Sequence, residues 1–384
     1  MTRRSSLLLM TAPGLLGAGG LSVLKNFPGG SVGPVQSVSA SHMRIGIVGQ
    51  TDEAGRNRQA SWYYFRVLGA RPKQPLTIDL VDLPGEYNFA PNRGAITGDT
   101  RPYILENDKW IEAPGVYDAN EPKWRLSLTP TQSNFYLAHL PPYTIRNLSA
   151  LKQAVKPQVE VIGKSVAGRP LELWTFDRSG GSENAPTAWI MFRQHAWEAG
   201  TNWTGEGFLR NLPSGINWKI LPMNDPDGVA EGRVRFNAKG FDLNRNWDAP
   251  DDPVLRPEIY AQKTATEKWL ATGKKIDLFL SLHNTETGEY LEGPPGNPGA
   301  ALYQRLHDKT RFDPDREYFT RMDVTGPNRA NVIQYLWGKH KLPAMLMELR
   351  IAKSKKLGAR PTPESWGAFG KELAEGIATI LQSK

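Results

Sequence analysis

From about residue 150 onward, the sequence alternates short apolar runs with stretches of helical character, and this feature constrains the fold most. Such alternation is typical of a largely parallel sheet covered by helices. Helices are predicted over 253–272 and 329–340 and in the final segment, where apolar residues recur at helical spacing. We therefore predict an α/β catalytic domain over 150–384, with a mixed, largely parallel sheet flanked by helices. The strand candidates are VEVIG (159–163), LELWTF (171–176), TAWIMF (187–192), NWKILPMN (217–224), IDLFLSL (276–282) and AMLMEL (344–349).

Residues 44–148 show a different pattern of apolar and turn-forming residues. Short aromatic and β-branched runs, such as RIGIVGQ and SWYYFRVLG, are separated by Gly, Pro, Asn and Asp residues that favour turns. Runs at this spacing predict an all-β, sandwich-like domain. The segment PPYTIRN, over 141–147, is the predicted link to the α/β domain.

The first 40 residues resemble a targeting segment rather than part of a domain. Arg3 and Arg4 precede a weakly apolar run over 7–24, and the segment ends in small residues at Ala40. This pattern is typical of a twin-arginine export signal. The alternative is an uncleaved membrane anchor, which Pro13 and several glycines disfavour. We expect export to the periplasm or beyond, without stable membrane insertion after cleavage, and a cytoplasmic protein if the segment is not a signal.

Composition narrows the chemistry. The chain has no cysteine, which excludes disulfides, thiolate metal sites and a cysteine nucleophile. Any bound metal must therefore be held by histidines and carboxylates. The net charge is +8, but the basic residues form no dense stripe along the sequence, so nucleic acid is not an expected partner. No oligomeric state is predicted.

Four polar side chains end or follow predicted strands. His195 and Glu198 follow TAWIMFRQ, His283 follows IDLFLSL, and Glu348 follows AMLM. In open α/β sheets the carboxyl ends of the strands share one edge, where ligands bind, so these residues are expected to converge. The HxxE spacing alone is weak evidence, because it arises easily by chance.

Two imidazoles and one carboxylate form a known catalytic zinc set that leaves a coordination position for water. We expect one Zn²⁺ per chain, bound by His195, Glu198 and His283. A non-ligating carboxylate must then accept the proton of the water and return it to the leaving amine, and Glu348 is the candidate. The alternative for Glu348 is a buried ion pair, for example with Arg350.

The segment EGRVRFNAKGFDLNRNWD, over 231–248, lies between the candidate ligands. It contains Asn244 and Arg245, and a guanidinium suits bidentate binding of a carboxylate such as a peptide C-terminus. Arg235 is a candidate for stabilising the charge that develops on the scissile carbonyl oxygen. The alternative for Asn244 and Arg245 is a structural role in a turn.

The joint motif set resembles the zinc metallocarboxypeptidases, which have a carboxypeptidase A-like catalytic domain. The motifs are HAWE, LPMNDPDGV, GFDLNRNW, LSLH and MLMELR, in that order. SWYYFRVLG, HLPPYTI and IGKSVAGRPLELWTF resemble the cytosolic-carboxypeptidase-like branch, whose members carry an N-terminal β-sandwich domain. The resemblance covers about residues 44–384. It implies zinc binding by His195, Glu198 and His283, general acid/base catalysis by Glu348, transition-state stabilisation by Arg235, and binding of the substrate carboxylate by Asn244 and Arg245.

The chain departs from this family at two points. Trp197 lies between the candidate ligands, where the family usually has Pro-Gly. The loop MDVTGPNRANVIQYLW, ahead of Glu348, lacks a tyrosine where many relatives place a mobile one, and Tyr318 and Tyr335 are the nearest alternatives.

The leading functional hypothesis is an exported zinc carboxypeptidase that removes the C-terminal residue from a peptide or protein. Arg329 and Lys353 flank the Glu348 strand in sequence. The resemblance implies a preference for acidic C-terminal residues, which relatives in this branch often show, and these two cations agree with that further hypothesis. The alternatives are a zinc amidase or deacylase acting on cell-wall peptides or N-acyl amino acids, and a zinc-free binding protein on a peptidase scaffold. The last would be indicated by loss of a ligand or of Glu348.

Overall fold

A computed structural model describes residues 20–92, 96–296 and 298–383. Arg3, Arg4 and the apolar run as far as residue 19 therefore lie outside the described residues. Among the helices that are described, none is long and apolar enough to cross a membrane.

The N-terminal part of the described chain is built from β-strands. One five-stranded sheet has the order β1-β4-β12-β8-β9, and the other has the order β10-β11-β5-β3-β2. Buried side chains from both sheets form one apolar core that includes Phe65, Ile78 and Leu126. The predicted all-β, sandwich-like domain is thus confirmed. Its strands are β1 (Ser22–Leu24), β2 (Val35–Ser39), β3 (His42–Gly46), β4 (Tyr64–Leu68), β5 (Leu76–Val81), β6 (Gly85–Tyr87), β7 (Ala90–Asn92), β8 (Tyr103–Glu106), β9 (Lys109–Glu112), β10 (Gly115–Asp118), β11 (Lys123–Leu128) and β12 (Phe135–Ala138).

The β domain begins earlier than the predicted residue 44. Strand β1 pairs with β4, with Val23 opposite Val67, and β2 pairs with β3. Leu21 and Val23 also pack against the apolar core of the domain. The predicted cleavage after Ala40 would therefore remove one edge strand from each sheet, which is a correction to the predicted boundary.

The C-terminal part has a seven-stranded sheet of order β13-β14-β16-β15-β17-β19-β18. The central strands β16, β15, β17 and β19 are parallel, while the other pairs are antiparallel. The predicted mixed α/β sheet is confirmed. The elements are α1 (Ile145–Val155), β13 (Gln158–Lys164), β14 (Pro170–Asp177), β15 (Thr187–Phe192), α2 (Ala199–Arg210), β16 (Asn217–Leu221), α3 (Pro226–Glu231), α4 (Pro257–Ala271), β17 (Leu278–Thr285), β18 (Tyr290–Glu292), α5 (Gly299–Lys309), α6 (Val332–His340), β19 (Ala344–Arg350) and α7 (Pro363–Gln382).

Helices cover both faces of this sheet. Apolar residues of α2, α5 and α7 pack in one core, and those of α4 and α6 pack in another. The predicted stripe of α7 faces inward, with Trp366, Phe369, Leu373 and Ile377 buried and Ile380 half-buried. Helices α2 and α7 approach closely, because a Cβ at Gly370 would lie 1.9 Å from the carbonyl oxygen of Thr204. This packing fixes the helix that begins directly after Glu198.

The β domain is joined to the α/β domain through the side chain of Gln50. Its Oε1 accepts hydrogen bonds from the backbone N–H groups of Val234 (3.0 Å), Arg235 (2.8 Å) and Phe236 (3.0 Å). Its Nε2 donates to the carbonyl oxygen of Phe236 at 2.7 Å. Four hydrogen bonds from one side chain therefore hold the segment that carries Arg235.

Candidate metal centre and active-site cleft

The parallel strands bring the four polar side chains together at one edge of the sheet. His195 and Glu198 lie in the turn after β15, His283 lies in β17, and Glu348 lies in β19. His283 and Glu348 are direct partners in the pairing of β17 with β19. The expected convergence at the carboxyl ends of the strands is therefore present in the structure.

His195, Glu198 and His283 form a compact, buried cluster. Nδ1 of His195 lies 2.6 Å from Oε1 of Glu198, and Nδ1 of His283 lies 3.0 Å from Oε2. The three side chains are only 1–2 % exposed. One potential ligand atom from each residue lies within 4.8 Å of the others. Each side chain thus directs a donor atom toward a common point.

The outer nitrogen of each imidazole has its own partners. Nε2 of His195 lies 3.0 Å from Oδ1 of Asp242. Nε2 of His283 lies 3.0 Å from Oε1 of Gln194 and 3.0 Å from Oγ of Ser281. Carboxylate and amide oxygens in these positions favour a proton on Nε2, which leaves the Nδ1 lone pair directed at the centre.

Sequence reasoning did not identify these outer partners. Ser281 precedes His283 by two residues, so the period of a strand places both side chains on one face, and that signal was available. Asp242 lies in the same polar run as Asn244, but nothing in the run indicates that its carboxylate contacts His195. Gln194 adjoins His195 yet contacts His283, a contact that depends on the pairing of β15 with β17.

Burial and neighbouring charges shift the pKa values of the carboxyl groups around the cluster in different directions. Burial favours neutral Glu198, but the two imidazoles hold its pKa below the ordinary range. Burial likewise opposes ionisation of Asp242, whose pKa Arg235 and His195 nevertheless hold well below its ordinary value. In contrast, burial and then the negative charge of Glu198 raise the pKa of Glu348 well above its usual range. A raised pKa is common for a carboxyl group that exchanges protons in an active site, so Glu348 stays a candidate for that role.

The cluster opens into a cleft of about 840 Å³ that both domains line. Glu348, Arg235, Asn244 and Arg245 line it together with the cluster. The β domain contributes further side chains that sequence reasoning did not connect with the site: Gln59, Tyr87, Asn88, Asp99 and Tyr117.

Arg235, predicted to stabilise the transition state, and Asn244 and Arg245, predicted to bind substrate, have defined partners. Nε of Arg235 donates to Oδ2 of Asp242 at 2.8 Å. Oδ1 of Asn244 accepts from the backbone N–H of Val332 at 3.2 Å. Arg245 donates through Nη1 to the carbonyl oxygen of Asn244 at 2.8 Å. Arg235 and Arg245 both line the cleft.

Of the residues at which the chain departs from the family pattern, Trp197 lines the cleft, whereas Tyr318 and Tyr335 do not. Trp197 lines the cleft although it is almost fully buried, and its backbone N–H donates to the carbonyl oxygen of Val234. The hydroxyl of Tyr335 donates to Glu267, and that of Tyr318 donates to the carbonyl oxygen of Pro294. Neither tyrosine lines the cleft.

Two family profiles match this chain in succession. The profile described as the cytosolic carboxypeptidase N-terminal domain matches residues 23–140, and the profile described as zinc carboxypeptidase matches residues 145–297. The chain carries a zinc carboxypeptidase domain. The predicted family is thereby confirmed, and with it the class of metallopeptidase hydrolases that use a zinc ion.

Curated relatives of this chain come from bacteria and animals. An uncharacterized protein of Zymomonas mobilis is 26% identical over 314 residues, which cover 75% of this chain and 78% of the relative. Human cytosolic carboxypeptidase 1 is 30% identical over 272 residues, or 58% of this chain. The chain spans only 22% of that human protein and 25% of mouse cytosolic carboxypeptidase 4.

Solved structures share the fold along nearly the whole chain. A metallo-carboxypeptidase from Burkholderia cenocepacia has a TM-score of 0.79 at 21% identity, covering 95% of this chain and 99% of the other. A metallo-carboxypeptidase from Pseudomonas aeruginosa has a TM-score of 0.77 at 21% identity, with 94% and 99% covered. The likeness extends over both the β domain and the α/β domain.

The buried cluster fits the zinc ion of the family. Two imidazole nitrogens and a carboxylate oxygen are donors that zinc prefers. Oε2 of Glu198 is buried and lies 3.0 Å from Nδ1 of His283, but no described residue donates a hydrogen bond to it. A buried oxygen without a donor calls for a cation or another partner.

We expect the substitution Asp242→Asn to weaken zinc binding about 10-fold to 100-fold, the usual effect of losing an outer partner of a metal-bound histidine. Competition with a chromogenic chelator measures the affinity. Asp308→Asn, on the exposed surface of α5, is the control and should leave the affinity unchanged. Equal affinities for the two variants would contradict the assigned role of Asp242.

Proposed function

We propose that this protein is a zinc-dependent carboxypeptidase that hydrolyses the C-terminal peptide bond of a peptide or protein. The observation that carries the proposal is the position of Glu348, a carboxyl group with a raised pKa, beside a buried His195–Glu198–His283 cluster. This cluster opens into a cleft that also contains Arg235 and Arg245. The same cleft therefore offers a proton carrier, a site for zinc and two cationic groups for substrate.

Zinc bound by His195, Glu198 and His283 would supply a Lewis acid and lower the pKa of water to about 7. Glu348 then takes the proton from the attacking water and returns it to the leaving amine as the peptide bond breaks. Arg235, held by Asp242, stabilises the negative charge that develops on the carbonyl oxygen.

Arg245 and Asn244 orient the substrate by binding its terminal carboxylate. A guanidinium offers paired donors that match the geometry of a carboxylate, so a free C-terminus is held in one orientation. A peptide bond in the middle of a chain offers no carboxylate at this position. The arrangement therefore favours release of single residues from the C-terminus over cleavage within a chain.

We expect Glu348→Gln to lower the release of C-terminal amino acids at least about 100-fold, because the proton carrier is lost while the metal ligands remain. The measurement is amino-acid release from a mixed peptide library by the zinc-loaded full chain, with metal content determined in parallel. A chelator should abolish release by the unchanged protein, and added zinc should restore it. Glu364→Gln, on the exposed first turn of α7, is the control and should retain activity.

Two results would contradict this proposal. Undiminished release by Glu348→Gln would remove Glu348 as the proton carrier. If the zinc-loaded protein released no amino acid from any peptide, the alternative of a zinc amidase or deacylase acting on cell-wall peptides or N-acyl amino acids would be favoured. Assays with those two substrate classes would then decide.

We propose a preference for acidic C-terminal residues, carried by Arg329. Arg329 lines the cleft and donates to Oδ1 of Asn88 at 3.2 Å, and no described carboxylate forms an ion pair with it. Arg321 also lines the cleft but is paired with the buried carboxylate of Glu292 at 2.8 Å. Lys353, the other cation suggested by the sequence, is exposed and does not line the cleft.

Peptides that differ only in a C-terminal Glu, Lys or Phe test this preference. We expect the highest kcat/KM for Glu, and we expect Arg329→Met to lower that value about 10-fold while changing the value for Phe much less, since one charge-assisted contact is lost. Arg71→Met, at an exposed loop of the β domain, is the control. Fastest release of Lys or Phe would refute the acidic preference.

We propose export of the protein, with processing ahead of Ser22 so that β1 is retained. Arg3, Arg4 and the following apolar run support export, whereas the names of the cytosolic relatives support the cytoplasm as the alternative. Fractionation of cells producing the full chain should locate the protein outside the cytoplasm. Replacement of both arginines by lysine should keep the protein in the cytoplasm. A cytoplasmic location for both forms would refute export, and N-terminal sequencing would identify the processing site.

A further inference from the structure

Tyr87 of the β domain reaches the two arginines that the proposed function assigns to substrate. Nη2 of Arg245 lies 3.3 Å from the Tyr87 hydroxyl. The guanidinium carbon of Arg235 lies 5.7 Å from the centre of the Tyr87 ring. One phenol therefore lies against both of these arginines, although it belongs to a different domain.

The hairpin formed by β6 and β7, which carries Tyr87, is anchored at its base. Glu86 accepts hydrogen bonds from Nε of Arg56 at 3.2 Å and from the N–H of Asn57 at 2.9 Å. The side chain of Gln59 donates to the carbonyl oxygen of Glu86 at 2.6 Å. These contacts hold the backbone on which Tyr87 is mounted.

The tip of the same hairpin contacts the α/β domain. Oδ1 of Asn88 accepts a hydrogen bond from Nη2 of Arg329 at 3.2 Å. The hairpin therefore spans the cleft from the β domain to the loop that precedes α6. Tyr87 is positioned before substrate arrives, which reduces the ordering cost of using it for binding.

The hydrogen-bonding capacity of the Tyr87 hydroxyl is only partly used. A guanidinium donates but cannot accept, so the hydroxyl must accept from Arg245. The phenolic proton then remains available, and no acceptor for it occurs among the described residues. A substrate carboxylate bound by Arg245 would present an acceptor oxygen next to this proton.

Other tyrosines near the cleft have different surroundings. The hydroxyls of Tyr318 and Tyr335 are directed to Pro294 and Glu267, away from the cleft. Tyr290 lines the cleft, but it lies opposite Glu348 in the pairing of β18 with β19, and not beside Arg245. Tyr87 is the phenol whose hydroxyl contacts Arg245 in the described part of the chain.

We propose that Tyr87 is a substrate-positioning residue of the cleft, which accepts a hydrogen bond from Arg245 and donates its own proton to the terminal carboxylate of the substrate. The β domain thus completes the binding site rather than serving only as a scaffold. This inference rests on the proposed carboxypeptidase function.

The test compares Tyr87→Phe with Tyr260→Phe in the zinc-loaded full chain. The two tyrosines are equally exposed, at 38%, and Tyr260 does not line the cleft. We expect Tyr87→Phe to raise KM about 5-fold to 10-fold and to change kcat less than about twofold, because a ground-state contact to the carboxylate is lost. Tyr260→Phe should change neither constant, and both variants should retain the melting temperature of the unchanged protein.

Calorimetric binding of a free amino acid provides a second readout that needs no turnover. The amino acid is the one that the unchanged protein releases fastest, or glutamate if none is released. Tyr87→Phe should weaken binding of the amino acid about 5-fold to 10-fold. It should not alter binding of the amine that lacks the α-carboxylate, because that amine offers the phenol no acceptor at this position. Unchanged binding of the amino acid by Tyr87→Phe would overturn the inference. Absence of peptide hydrolysis by the unchanged protein would refute the proposed function instead, so the two failures are distinguishable.

Discussion

The rest of the site depends on the burial of one carboxylate, that of Glu198, between two imidazoles. An isolated buried carboxylate is costly, and it is tolerated only with compensating partners. Here Nδ1 atoms of His195 and His283 approach its two oxygens. Those imidazoles are in place because β15 and β17 are parallel neighbours, and Glu198 is in place because α2, which follows it, is packed tightly against α7.

A chain of charges extends outward from this carboxylate. His195 contacts Asp242, and Asp242 contacts Arg235, so a candidate metal ligand is linked to a group that lines the cleft. The backbone of Arg235 is in turn held by Gln50 of the β domain. The electrostatics of the cleft are therefore built jointly by the two domains.

Sequence patterns succeeded where the relevant information is local. The apolar run TAWIMF matches β15, and the alternating burial of β11 follows the period of two in KWRLSL. The start of the β domain was missed, because Ser22–Leu24 and Val35–Ser39 are short and only weakly apolar. These two segments form strands because they pair with β4 and β3. The residues of a short segment do not by themselves indicate such pairing.

By itself, the sequence determined the chemical groups of the candidate site and their order along the chain. His195, Glu198, His283 and Glu348 could be located because each follows or ends a strand whose apolar run is readable, and parallel strands bring such ends together. Only the tertiary structure decided which other side chains face that edge. Asp242 beside His195, Tyr87 beside Arg245, and Arg329 rather than Lys353 in the cleft wall are results of folding. The physical reason is that these contacts join segments far apart in the chain, whose meeting depends on packing between sheets and domains and not on any local pattern.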